Sequence, residues 1–123
     1  MIVLDTNFLL YSVKYRIIDR VLDIGEKILI PEAVFNEIRK IAMERGVRGG
    51  DAGTALQIIL KFKREGNIFL RKTAAKFADD SVLELAKKTK SIAGTLDAGL
   101  IKRLKKENIK VLKIRSMKGF VVD

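Results

Sequence analysis

Cysteine, histidine and tryptophan are all absent from this chain of 123 residues. Without cysteine the chain forms no disulfide bond and offers no thiolate ligand to a metal ion. Without histidine it lacks the commonest general base and the commonest ligand of transition metals. Any catalytic chemistry therefore has to rest on carboxylates, hydroxyl groups, lysine, arginine or tyrosine.

Long apolar runs are missing as well. No stretch approaches the roughly 20 apolar residues that span a bilayer, and the N-terminus lacks the basic segment and long apolar stretch of a signal peptide. We therefore expect a soluble cytoplasmic protein with no membrane partner. The length and an apolar fraction of 48% predict a single domain over residues 1–123.

Acidic residues are few compared with basic ones. The chain has 25 lysines and arginines against 15 aspartates and glutamates, which gives a formal charge of +10. A positive field of this size attracts polyanions such as RNA or DNA. The alternative is a lysine-rich surface that only aids solubility, and charge alone does not separate the two.

Short apolar segments alternate with helical patterns along the chain. The predicted strands are 2–4, 27–30, 67–70, 91–94 and 110–114, and a basic tail follows the last. The predicted helices are 7–13, 16–24, 32–44 and 51–63, with two more that start at Asp79 and Asp97. Residues 46–51 are predicted as a flexible loop, and 71–78 as either irregular or helical. This alternation predicts a parallel sheet covered on both faces, with ligands beyond the carboxyl ends of its strands.

Four acidic residues fall at or near that edge of the predicted sheet. Asp5 follows the first strand, Asp97 follows the fourth, Asp79 opens a helix, and Glu37 lies at the margin of a buried helical stripe. Converging carboxylates repel one another unless a cation holds them. Because all ligands would be oxygens, Mg²⁺ or Mn²⁺ is expected ahead of Ca²⁺, and such an ion activates water against a phosphodiester. Taken singly, each acid also suits a helix cap or a solvated helix face.

Basic and aromatic side chains near these acids are candidates for contact with a nucleic acid. Basic groups around a phosphate site position the backbone without reading its sequence. The predicted RNA-binding residues are Lys14, Lys102, Arg103, Lys105 and Lys106, although a solvated surface is an equal alternative for each. The nearest aromatic candidates for base stacking are Phe8, Tyr11 and Phe77, of which Phe8 is expected in the core.

Four motifs together resemble those of PIN-domain ribonucleases. They are I2-V3-L4-D5-T6-N7-F8-L9, Pro31 followed by Glu37, D79-D80-S81-V82-L83-E84-L85-A86, and T95-L96-D97. The resemblance covers nearly the whole chain. It implies a three-layer α/β/α sandwich with a five-stranded parallel sheet, and metal-dependent cleavage of single-stranded RNA. It also implies that Asp5, Glu37, Asp79 and Asp97 are the catalytic metal ligands, that Thr6, Asn7 and Thr95 support them, and that Asp80 is the alternative to Asp79.

Two branches of that family fit the motifs. One comprises VapC-type toxins, which pair with a small antitoxin protein, and the other comprises small archaeal relatives of the PIN nucleases that process ribosomal RNA. Residues 77–82 with T95-L96-D97 resemble the second more closely, although Ala98 and Gly99 replace the usual polar or basic residue after Asp97. Family resemblance further implies a homodimer. The rival interpretation is a PIN-like RNA-binding or assembly module with little or no nuclease activity.

Overall fold

Strands and helices alternate along the computed structural model, which describes residues 1–24, 26–116 and 119–122; the side chains of 115, 116 and 119–121 are not described. The elements in chain order are β1 Ile2–Leu4, α1 Thr6–Lys14, α2 Ile18–Asp23, β2 Ile28–Pro31, α3 Glu32–Ala42, α4 Val47–Arg64, β3 Ile68–Arg71, α5 Ala78–Thr89, β4 Ile92–Gly94, α6 Ala98–Lys106, β5 Val111–Ser116 and β6 Gly119–Val122. They form the α/β/α sandwich that the sequence predicts.

The sheet has six strands in the order β3-β2-β1-β4-β5-β6. The five predicted strands are all present and parallel to one another. The sixth strand was not predicted, because the residues after β5 were interpreted as a basic tail. The structure shows β6 paired antiparallel with β5, with Leu112 opposite Val122. Residues 117 and 118, which belong to the predicted tail, lie outside the described residues.

The prediction of a loop over residues 46–51 is wrong, because α4 begins at Val47. Asp51 therefore lies inside this helix and does not cap it. A Cβ atom on Gly49 would lie 1.8 Å from the carbonyl oxygen of Glu44, so only glycine lets the first turn pass this close to the preceding chain. Gly49 thus allows a tight entry into the helix, and the segment is not a flexible linker. Even α4, with 18 residues the longest described helix, is not apolar enough to cross a membrane, and the other described helices are not either.

The undecided segment after β3 is irregular. Between Arg71 and Ala78 the chain is neither helical nor extended, and the Glu84 carboxylate holds it by accepting the backbone N–H groups of Ala74 and Ala75 at 2.8 and 3.0 Å. The backbone of Phe77 caps α5 without a side-chain hydrogen bond, so Asp79 lies in the first turn and does not cap the helix as predicted.

β1 is buried along its whole length. Ile2, Val3 and Leu4 have no exposed surface, and Phe8 and Leu9 of α1 are equally buried. Burying a large apolar side chain contributes about 1.5–3 kcal/mol, so β1 is one of the most firmly held parts of the sheet. This rigidity extends to the residue that follows the strand.

The strand order reverses beside β1. The chain places β2 and β3 on one side of β1 and then crosses to place β4 on its other side. Ligands of open parallel sheets bind in the crevice beyond the carboxyl ends of the strands at such a reversal. Asp5 follows β1 and Thr95 follows β4, so both residues lie at this point.

Candidate functional site

Asp5 is the centre of the site. It is only 4% exposed, and its backbone N–H donates to the carbonyl oxygen of Gly94 at 3.1 Å. Oδ1 accepts the backbone N–H of Phe8 at 2.8 Å, which caps α1. Oδ2 accepts the hydroxyl group of Thr95. The carboxylate therefore ties the ends of two neighbouring strands to the start of a helix.

Thr95 connects Asp5 to Asp97. Its Oγ1 donates to Asp5 and also accepts the backbone N–H of Asp97 at 3.1 Å. Asp97 in turn accepts the backbone N–H of Leu100 at 3.0 Å, and so caps α6 as the sequence predicts. The second oxygen of this exposed carboxylate remains available for other interactions at the sheet edge.

Three carboxylates act on one another electrostatically. Burial raises the pKa of Asp5 from its ordinary value of 3.8 to about 6. Hydrogen bonds from Thr95 and Phe8 lower this pKa, whereas the charges of Asp79 and Asp97 raise it further. The pKa of Asp79 is also raised, first by desolvation and then by the charge of Asp97. Repulsion of this kind favours a bound cation.

Asp80 has a different partner. Its carboxylate accepts a hydrogen bond from Arg103 at 2.8 Å, and both side chains are almost half exposed. The same arginine lowers the pKa of Asp79 through its charge. Because Asp80 is already paired with Arg103, Asp79 is favoured over Asp80 as the metal ligand that acts with Asp5. This agrees with the preference for Asp79 from the sequence, and the assignment stays a prediction.

Glu37 is half-buried on α3. This helix packs against α5, whose first turn carries Asp79. The charges that raise the pKa of Asp5 are those of Asp79 and Asp97. Of the four predicted ligands, Asp5, Asp79 and Asp97 are therefore close enough for their charges to affect the pKa of Asp5. The position of Glu37 in the site is inferred from helix packing alone and stays a prediction.

The donor chemistry fits a hard cation that keeps part of its water. Over residues 1–24, 26–116 and 119–122, no three acidic side chains are grouped so that they form a metal-binding cluster. Mg²⁺ usually binds through one or two carboxylates and retains several waters, so it does not need a closed cage. Thr6 is buried, and its Oγ1 has no hydrogen-bond partner among the described residues. An unpaired buried hydroxyl on the residue that follows Asp5 fits a site that binds water or an ion.

The predicted nucleic-acid contacts are mostly at the surface. α6 buries Leu100 and Leu104, so its opposite face carries the exposed residues Lys102, Arg103, Lys105 and Lys106. Lys14 is exposed as well, and its ammonium lies 3.9 Å from Asp51. Phe8 is in the core, as expected, whereas Phe77 is 77% exposed and lies two residues before Asp79. That these side chains contact RNA stays a prediction.

Sequence reasoning missed three residues beside the site. Gly94 was treated as an ordinary strand residue, although it packs against Leu4 and Phe8 under the acids. Tyr15 and Arg48 line a cleft next to Asn7 and were not considered. The spacing of Tyr11 and Tyr15 on α1 was a usable signal, because residues four apart share a helix face. No sequence signal pointed to Arg48, because its segment was interpreted as a loop.

Comparisons with known proteins identify the family. The chain matches the family model of a PIN-like domain over residues 2–117. The chain belongs to the PIN-domain family. It is 31% identical over 127 residues to a protein named ribonuclease VapC4 from Methanocaldococcus jannaschii, and the match covers 98% of this chain and 95% of the relative. The family expected from the sequence motifs, the PIN-domain ribonucleases, is therefore confirmed.

Solved structures show the same PIN fold. The PIN domain endonuclease Utp24 superposes with a TM-score of 0.72 at 21% identity, covering 99% of this chain and 90% of that chain. A domain of a functionally unknown protein from Methanocaldococcus jannaschii gives a TM-score of 0.71 at 20% identity, with 98% and 94% covered. At these identities the likeness concerns the fold alone.

Proposed function

We propose that this PIN-domain protein is an endoribonuclease that hydrolyses phosphodiester bonds of single-stranded RNA with Mg²⁺ or Mn²⁺. The observation that carries this proposal is the buried carboxylate of Asp5, which Thr95 joins to Asp97 at the point where the strand order reverses, and whose pKa the charges of Asp79 and Asp97 help to raise. A family of ribonucleases and a chain charge of +10 both support RNA as the substrate.

Each acidic residue has a role in this proposal. Asp5, Asp79 and Asp97, with Glu37, hold the ion, which when bound polarises the phosphate and lowers the pKa of water. Thr95 orients the Asp5 carboxylate through its hydroxyl group, and it orients Asp97 by accepting that residue's backbone N–H. Thr6 and Asn7 add polar groups beside Asp5. The raised pKa of Asp5 means that burial disfavours its charged form, which a nearby cation would stabilise.

The basic surface of α6 positions the RNA backbone in this proposal. Lys102 extends from the helix that Asp97 caps, and Lys105 and Lys106 continue the basic surface in the last turn of that helix, about 12 Å along the helix axis from Asp97. Arg103 reaches the phosphate region only by exchanging its ion pair with Asp80. An exposed pair of this kind contributes about 0–1 kcal/mol, so RNA can displace it at little cost.

The direct test is incubation of labelled single-stranded RNA with the protein and Mn²⁺. We expect cleavage that stops in EDTA and falls by at least about tenfold in both Asp79→Asn and Asp97→Asn, because loss of even indirect metal support costs roughly 10–100-fold. Asparagine is a good helix cap, so Asp97→Asn keeps α6 intact. Asp80→Asn is the matched control and is expected to retain activity. Equal cleavage by Asp79→Asn, Asp97→Asn and the wild type would contradict the proposed site.

The spacing of the acids supports a second candidate function. Because no three described acidic side chains form a closed metal cluster, a PIN-like RNA-binding or assembly module with little nuclease activity is also consistent with this geometry. The same assay decides between the two, since such a module binds the RNA but leaves it uncut at every Mn²⁺ concentration.

We propose the VapC-type branch for the biological role, because the relative at 31% identity carries the VapC name. A toxin of this type would pair with a small antitoxin protein and form a homodimer in the cytoplasm. We expect expression of the wild type to arrest bacterial growth and expression of Asp97→Asn to leave it unchanged. Normal growth with an active nuclease would favour the ribosomal-RNA-processing branch.

A further inference from the structure

A cleft opens beside the acidic residues. It has a volume of about 440 Å³ and lies between α1 and the first turns of α4; we call it the tyrosine cleft. The lining residues that matter here are Asn7, Tyr11, Lys14, Tyr15, Arg48 and Leu96. Asn7 lies two residues after Asp5, and Leu96 immediately precedes Asp97. One end of the cleft is therefore lined by residues that are close in the chain to Asp5 and Asp97.

The aromatic part of the cleft is a pair of tyrosines. The ring centroids of Tyr11 and Tyr15 lie 4.5 Å apart with a tilt of 46°. Tyr15 is 40% exposed, so part of its ring surface faces solvent. Single-stranded nucleic acids bind on such rings because every base has a face that stacks on an aromatic side chain.

Two cations lie in the same cleft. The Lys14 ammonium is 3.9 Å from Asp51 and 5.8 Å from the centre of the Tyr15 ring. This long, partly exposed ion pair is weak and exchanges readily for a phosphate. Arg48 is exposed in the first turn of α4, which carries no acidic residue. A helix start of this kind adds a favourable field for an anion.

We propose that the tyrosine cleft binds one nucleotide of the single-stranded RNA on the same side of the protein as the phosphate that is cut. The base stacks on Tyr15, and its phosphate contacts Lys14 and Arg48. This inference rests on the proposed nuclease function. A nucleotide fits the cleft better than a protein segment does, because a stacking ring and two cations line it together, and one of these cations is already paired with the carboxylate of Asp51. Stacking also requires an unpaired base, which explains a preference for single strands.

The test uses the fact that Tyr11 and Tyr15 are the only two tyrosines in the chain. A protein labelled with 3-fluorotyrosine therefore gives two ¹⁹F signals, both from the cleft. We expect both signals to shift when a short unpaired RNA is added in EDTA, where no cleavage occurs. Unchanged signals under conditions where fluorescence anisotropy shows saturated binding would overturn the proposal.

Variants separate the ring from the charges. We expect Tyr15→Leu to lower RNA affinity about tenfold, within the range for loss of one stacked base, whereas Tyr15→Phe retains it. Arg48→Ala is expected to weaken binding, and Arg45→Ala, which removes an exposed charge of the same segment outside the cleft, is the matched control. Equal affinity of Tyr15→Leu and wild type would overturn the assignment.

An abasic scan locates the bound nucleotide. One abasic position in the RNA should weaken binding to the wild type about tenfold, and the same position should have no effect on Tyr15→Leu. If the abasic effect is seen in the wild type but not in Tyr15→Leu, and Mn²⁺ gives no cleavage, the nucleotide site is supported and the nuclease function is contradicted. If Mn²⁺ gives cleavage but the abasic effect is the same in both proteins, the nuclease function is supported and the nucleotide site is contradicted. ¹⁹F signals that respond to a candidate antitoxin but not to RNA would also overturn the proposal.

Discussion

Replacing Asp5 by asparagine is expected to abolish RNA cleavage and to raise the stability of the metal-free protein. Activity falls by about a hundredfold or more, because the variant loses the carboxylate to which Thr95 and the site are tied. Stability rises because burial has raised the pKa of Asp5 from 3.8 to about 6. At about 1.4 kcal/mol per pKa unit, the ionised carboxylate costs the fold about 3 kcal/mol at neutral pH.

The gain in stability depends on pH in a defined direction. Between pH 3.8 and about 6 the folded protein binds the Asp5 proton more tightly than the unfolded chain does. The wild type therefore loses stability as pH rises through this window, and the loss is complete above pH 6. Asp5→Asn lacks this loss, so the difference in free energy of unfolding is larger at pH 7 than at pH 4. Urea denaturation in EDTA at both pH values measures it.

Asparagine keeps the local hydrogen bonds. Its side-chain oxygen still accepts the N–H of Phe8. Its amide group can donate to the hydroxyl oxygen of Thr95, which reverses the direction of the hydrogen bond that Thr95 donates to Asp5 in the wild type. Glu44→Gln, which neutralises an exposed carboxylate, is the control and should change stability by less than about 0.5 kcal/mol. Mn²⁺ should stabilise the wild type but not Asp5→Asn. A variant that is less stable than the wild type at pH 7 would show that the charge of Asp5 belongs to the fold and not to a cation site.

Gly94→Val is expected both to lower the free energy of unfolding and to abolish the activity of the proposed site. A Cβ atom at Gly94 would lie 2.5 Å from Cδ2 of Leu4 and 3.4 Å from two ring carbons of Phe8. Both neighbours are fully buried in the core, so a shift of either side chain disturbs its packing. Overpacking of this kind costs about 1–3 kcal/mol, and valine adds two methyl groups beyond Cβ. The displaced end of β1 would carry Asp5 with it.

Gly53→Ala is the matched control for this experiment. A Cβ atom on Gly53 meets nothing within 4 Å, and the residue lies inside α4. Alanine there should stabilise the protein by about 0.4–1 kcal/mol, because it restricts the unfolded chain. Thermal denaturation of the three proteins measures both effects. If Gly94→Val melted at the wild-type temperature, the close packing of β4 on Leu4 and Phe8 would be contradicted.

The five parallel strands were predictable because each is a short apolar run that ends at a polar residue or, for β2, at Pro31. The same boundary placed Asp5 and Asp97 at one sheet edge, since parallel strands end together. The start of α4 was not predictable, because a glycine-rich segment usually indicates a loop and the close approach to Glu44 is visible only in three dimensions.

Other features depend on contacts between distant parts of the chain. β6 forms only because the residues after β5 return to pair with it, which local patterns do not reveal. The ion pair that engages Asp80 and leaves Asp79 as the favoured acid involves Arg103, which lies 23 residues beyond Asp80. Glu37 was placed by its angle from the buried Ile38, and that angle alone does not fix its distance from the other acids.

The hydroxyl–carboxylate bond between Thr95 and Asp5 joins residues that are 90 positions apart. During synthesis, a growing polypeptide that ends before β4 has neither Thr95 nor Asp97, and its first strand lacks the neighbour that completes the edge. The proposed site is therefore incomplete until about three quarters of the chain has been made.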